Sequence, residues 1–176
     1  MHPIIKNTGI KFGLILAGIQ ILFYIVAYAI NLELLVNPFI GLAMMLIALT
    51  VFVLAIFQAR KSLNDVIDFK GAFTTFFLTA VIGFGLTSLF NVLLFNVIDP
   101  ELIGLVKEMS LDAAVQNMKK FGASAADINA MVEQMSANNP YSFSQQMKGF
   151  VFTLAISSIV GVILALILKR QPVYKD

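Results

Sequence analysis

Between Asp68 and Pro100 the chain reads Asp68-Phe69-Lys70-Gly71-Ala72, then 26 residues from Phe73 to Ile98 without a charge, then Asp99-Pro100. As a helix this run extends roughly 39 Å at 1.5 Å per residue. A bilayer's hydrocarbon core is about 30 Å thick. The run therefore predicts a membrane-crossing helix that tilts or projects beyond the core. Asp99 and Pro100 end it, a charge followed by a residue with no N–H to donate.

Three further uncharged runs stand around it: Phe12–Ile30, Phe39–Phe57 and Gly149–Leu168. Only 12% of the chain is charged, against about 25% in a soluble domain. Such a chain cannot clothe a water-facing surface, so lipid is the expected solvent. The expected fold is all-α: a single membrane domain over 1–176, a membrane four-helix bundle with spans at 12–30, 39–57, 73–98 and 149–168. The first run mimics a signal peptide, with Ala27-Tyr28-Ala29 at its end. Its length, with Gln20, Tyr24 and Tyr28 inside it, favours a retained helix. Residues 31–38 link the first two spans as an antiparallel hairpin, with Pro38 suited to a first helical turn. Gln58–Ala72 is amphipathic. It reads equally as a short interfacial helix or as an extension of the second span ending in a turn.

Residues 99–148 form the extramembrane insert between the third and fourth spans. Leu102, Val106, Met109 and Ala113, then Ile128, Met131, Val132 and Met135, recur at helical spacing. Gly122 interrupts them, and Ser124 with Asp127 makes a capping box. This predicts a helical hairpin over 101–121 and 124–137, closed by Asn138-Asn139-Pro140. Met109, Met118, Met131 and Met135 form a stripe that would pack the two helices together, dock on the membrane surface or meet a partner.

Alternate loops fall on alternate sides. One side holds Lys6, Lys11, Arg60, Lys61, Lys70, Lys169, Arg170 and Lys175, eight of the 12 basic residues. Lys and Arg mark the cytoplasmic side. Both termini are expected inside and the hairpin outside, in a cytoplasmic membrane. Tyr28, Phe39, Phe95 and Tyr141 would mark the outer interface, and Phe57, Phe73 and Tyr174 the inner one.

Little in the chain carries chemistry. It has no cysteine, which excludes disulfides and thiol catalysis. Its single histidine is His2, a terminal residue rather than a ligand. The spans hold no ionisable Asp, Glu, Lys, Arg or His, which argues against ion-coupled transport. Glu108 and Asp112 are four apart, but lysines intersperse them and a solvated face explains them. No metal site, cofactor or nucleic-acid patch is expected. The candidate polar residues are Gln20, Asn91 and Ser157, read either as helix-packing groups or as the lining of a cavity. Gly9, Gly13 and Ala17, and separately Gly149, Thr153, Ser157, Gly161 and Ala165, form small-residue stripes that let helices approach closely. Gly83-Phe84-Gly85 marks either close packing or a helix break, and packing is the simpler reading.

The opening stretch also carries a likeness. Ile67-Asp68-Phe69-Lys70-Gly71-Ala72-Phe73, the long span after it, and Asn96-Val97-Ile98-Asp99-Pro100-Glu101 resemble DUF4199. That family comprises small four-helix membrane proteins of Bacteroidetes with no known activity. Lys11-Phe12-Gly13 at the first span and the helical insert before the fourth extend the likeness over most of the chain. The resemblance implies fold, topology and a bacterial inner membrane, and it supplies no catalytic residue.

The functional expectation is a non-enzymatic accessory or interaction protein of the membrane, meeting a membrane-protein partner or a second copy. The alternative is a subunit of a small-molecule or lipid transporter or channel. A lipid-modifying enzyme using Asp65, Asp68 and Lys70 ranks below both, because these charges suit an interfacial loop.

Overall fold

The computed structural model describes residues 1–137 and 142–170. The predicted closure at Asn138-Asn139-Pro140, the aromatics Tyr141 and Tyr174, and Lys175 lie outside them. The fold is all-α: α1 (Pro3–Ile30), α2 (Pro38–Lys61), α3 (Phe69–Leu93), α4 (Leu102–Lys120), α5 (Ala125–Ala137) and α6 (Phe143–Leu168). A 3-10 turn at Leu32–Leu35 follows α1, and a π turn at Leu94–Ile98 extends α3. Four of these helices are long and apolar enough to cross a membrane, the third running from Phe69 to Ile98.

Caps set where the helices begin. Asn37 Oδ1 accepts from Phe39 N–H at 2.9 Å, ahead of Pro38 at the start of α2. Asp68 Oδ1 accepts from Gly71 N–H at 2.8 Å and starts α3. Each satisfies a donor that the first helical turn leaves free. The capped helices outrun their apolar windows, because the polar ends at 3–11, 58–61 and 143–148 stay helical. The insert is shorter for the same reason, since 143–148 belong to α6. Gln58–Lys61 is an extension of α2. The chain then reverses at Asn64 and Asp65, both with positive φ (55° and 64°).

α1 and α3 run parallel in register. A Cβ at Gly9 would lie 2.7 Å from Leu78 Cβ, one at Gly13 2.7 Å from Ile82 Cβ, and one at Gly83 2.6 Å from Leu16 Cδ2. The Gly9-Gly13-Ala17 stripe is therefore a close-packing face, and Gly83-Phe84-Gly85 lies in an unbroken helix. α6 runs antiparallel to α3, with Gly161 against the Phe76 ring and a Cβ at Gly85 placed 3.6 Å from the Phe150 ring. Phe76, Leu16, Ile56, Phe52 and Ala165 share the main core.

Beyond α6 the chain returns to the α2–α3 connector. Ile67 N–H donates to Arg170 O at 2.9 Å, and Arg170 N–H to Ile67 O at 2.8 Å. Asp65 lies 3.5 Å from Arg60 Nε and 3.6 Å from Arg170 Nη1. The N-terminus, the connector and the end of α6 gather here at the basic end of the bundle. The opposite end carries the hairpin.

At the hairpin end a second core joins the π turn to α4. Leu94, Phe95 and Val106 are buried there, with Leu32, Leu35 and Ile103 packed on them. Phe95 is thus a core residue rather than an interfacial aromatic, because the wide π turn, closed by Asp99 N–H to Leu94 O at 2.9 Å, rotates it inward. Tyr28 OH donates to Asp99 Oδ2 at 3.2 Å and ties α1 to the same point. Gly122, with φ of +76°, turns the chain between α4 and α5. Ser124 Oγ accepts from Asp127 N–H at 3.2 Å, the first half of the predicted capping box, while the Asp127 carboxylate meets the Ser124 hydroxyl rather than its backbone N–H. Lys107 Nζ donates to Ser136 O at 2.6 Å and joins the two helices. The four methionines of the stripe are half-buried.

Candidate functional site

The four long helices close at the basic end and part at the hairpin end. In α2 the buried residues run from Ala48 to Ala59, and none lies between Pro38 and Ile47. In α6 only Gly161 and Ala165 are buried, both in its second half. Between the first halves of α2 and α6, over a floor of α1 and α3, lies an open cleft of about 810 Å³.

The floor is polar where the glycine seam ends. Along the α1–α3 contact, Gly9, Gly13 and Leu16 give way to Gln20 and Tyr24. Thr87 Oγ stands 2.8 Å from Gln20 Oε1 and 2.9 Å from Gly83 O. A hydroxyl has one proton, so it cannot donate fully to both. Turning the Gln20 amide so that it donates to Thr87, while Thr87 donates to Gly83 O, satisfies all three groups. One turn further, Asn91 is hydrogen-bonded to the Tyr24 hydroxyl. Asn91 is only 7% exposed, and its Oδ1 has no partner among the described residues. An unpaired buried acceptor costs about 1–3 kcal/mol, so something must justify it. Ser88 Oγ contacts Gln146 Oε1 and O of α6 at 3.5 Å, a weak bridge across the floor.

The walls are apolar and open. Met44 and Gly41 come from α2, Phe150, Phe152, Gly149 and Thr153 from α6, and Phe23 and Phe84 from the floor. A Cβ at Gly41 or Gly149 would meet nothing within 4 Å. Gly149 is therefore not part of a packing stripe. α6 packs tightly only in its second half, where Gly161 and Ala165 meet α3, and its first half stands off. Among the described lining residues Lys148 is the one Lys, Arg, Asp or Glu; it is exposed and makes no ion pair with another described residue.

Of the three polar residues singled out in the sequence, Gln20 and Asn91 line this cleft and Ser157 does not. Ser157 is half-buried two turns further along α6 from Phe150. Sequence reasoning missed Tyr24 and Ser88 as floor groups and Lys148 as the cleft's cation. Tyr24 had a signal, since it sits four residues from Gln20 on the same helix face. Lys148 read as a loop charge because the apolar window of its helix begins only at Gly149. Among the described residues no three His, Cys, Asp or Glu side chains gather to hold a metal.

A model of the family described as "Protein of unknown function (DUF4199)" matches residues 11–170. The chain belongs to the DUF4199 family. No curated protein and no solved structure matches. The DUF4199 match takes in α1 from Lys11 onward, the other three long helices and the hairpin, so floor and walls of the cleft both fall within it.

Proposed function

We propose that this membrane protein is a non-enzymatic accessory of the bacterial cytoplasmic membrane that acts by holding an amphipathic molecule in its cleft. Both termini lie in the cytoplasm and the hairpin outside, on the distribution of Lys and Arg. The cleft of about 810 Å³ carries this reading. Its size and its mixture of rings, amides and hydroxyls suit a ligand site. Proton transfer near neutral pH is mostly the work of His and tuned carboxylates. The described lining residues include neither, so the groups present orient a molecule rather than convert it. The α4–α5 hairpin offers Phe121, 90% exposed at its tip, to a membrane-protein partner or a second copy.

The test is purification in mild detergent at native expression, with mass spectrometry of whatever small molecules and proteins co-elute. Recovery of a bare monomer would sink the reading.

A second reading, a transporter or channel subunit, is favoured by one observation. The helices close at the basic end and open at the other, as in one state of an alternating-access bundle. Liposome flux that is lost in Gln20→Leu with Asn91→Leu would support it, and wild-type-like flux in that double variant would count against it.

A further inference from the structure

We infer that the cleft takes one anionic phospholipid drawn from the surrounding leaflet, with its acidic headgroup at Lys148 and a hydroxyl or amine donor at Asn91. The inference rests on the cleft being a binding site and names its occupant.

Four observations point the same way. First, the cleft lies within the stretch of helices long and apolar enough to cross a membrane. The molecules at highest concentration beside its open side are therefore lipids. Second, Gly41 and Gly149 stand on its two walls with open space where a side chain would go. Glycine is a poor helix former, and neither position needs it for packing. Two bare backbone stretches facing one space leave room for a chain to lie against them. Third, Lys148 is an exposed cation with no carboxylate among the described lining residues. An ammonium in that setting selects an anion. Fourth, Asn91 lines the floor, is 93% buried by its 7% exposure, and has an acceptor oxygen without a partner. It calls for a donor, which a bare acyl chain lacks. Phe23, Phe84, Phe150 and Phe152 supply the apolar surface for the chains.

The register between α3 and α6 makes one molecule able to meet both polar groups. Ser88 faces Gln146 and Gly85 faces Phe150. Lys148, midway between Gln146 and Phe150, therefore stands level with Leu86 and Thr87, a little over one turn from Asn91, or roughly 7 Å along the axis. That distance is within a lipid headgroup.

The experiment is native mass spectrometry of the full-length protein after equilibration in nanodiscs of equal phosphatidylglycerol and phosphatidylcholine. One retained phosphatidylglycerol per chain is expected. Lys148→Gln should cut the preference over phosphatidylcholine about fivefold, the scale of one lysine at an anionic surface. Gly41→Phe with Gly149→Leu fills the cleft and should abolish retention while the thermal midpoint stays put. Glycerol phosphate at millimolar concentration should displace nothing. Retention that survives the filled cleft marks surface lipid and overturns both the inference and the cleft as a site. Equal retention of the two lipids, lost on filling, leaves the cleft a site but overturns the anionic occupant. Displacement by glycerol phosphate identifies a soluble anion and overturns the lipid.

Discussion

Thr87 and Gln20 meet at 2.8 Å across the seam between α3 and α1, one turn beyond the contact of Gly83 with Leu16. The seam changes character at this level. Toward the basic end, glycines bring the two helices together. Toward the hairpin end, polar side chains hold them and α2 and α6 move away. Closeness at one end and the cleft at the other follow from where the small residues stop.

The glycine seam should be the least tolerant part of the molecule. A Cβ at Gly13 would overlap Ile82 at 2.7 Å, and overpacking costs about 1–3 kcal/mol. Gly13→Val is expected to lower the thermal midpoint in detergent by several degrees. Gly18→Ala, at a position with nothing within 4 Å, should change it little or raise it. Equal effects at the two sites would contradict the close contact.

At the connector, packing should outweigh charge. Asp65 joins Arg60 and Arg170, but its side chain is 60% exposed. Exposed ion pairs contribute about 0–1 kcal/mol, and Asn tolerates the positive φ. Asp65→Asn should therefore cost less than about 1 kcal/mol. Ile67 is buried in the main core, and Ile67→Ala should cost about 2–5 kcal/mol. Denaturation of both variants in detergent checks the order.

The polar floor should matter more for ligand than for stability. Interhelical hydrogen bonds in membranes average about 0.6 kcal/mol. Gln20→Leu should cost about that much, and Asn91→Leu about the same, because losing its bond to the Tyr24 hydroxyl is offset by removing an acceptor already without a partner. Thermal scans of both variants, without added lipid, decide this. A loss of several kcal/mol in Asn91→Leu would show that the residue is structural glue.

The topology is directly testable because the chain has no cysteine. Glu133→Cys on the hairpin should react with a membrane-impermeant maleimide on intact cells. Lys61→Cys at the end of α2 should react only after permeabilisation. Labelling with the opposite sidedness would reverse the assigned orientation.

Spans, some helix starts and the hairpin were legible in the chain because each rests on local physics. An uncharged run of 19 or more residues has few options outside lipid. Pro38 at a first helical turn and Ser124 ahead of Asp127 are read from spacing alone, whereas the Asn37 and Asp68 caps appear only in the structure. The Gly9-Gly13 stripe was legible too, since spacing alone puts its members on one face. Which stripe packs was not. Gly149 and Gly161 share a spacing and a helix, yet one faces open space and the other the Phe76 ring. Only the tertiary arrangement separates them, because a helix's path past its neighbour is set by the whole contact between them. The same holds for Phe95, turned inward by a π turn, and for Ile67 and Arg170, more than a hundred residues apart and joined by two backbone hydrogen bonds. The sequence by itself determined that four helices are long and apolar enough to cross a membrane and which residues are polar. The tertiary structure decided that Gln20, Tyr24, Thr87 and Asn91 share one floor, since a cleft exists only where helices from distant parts of the chain fail to meet.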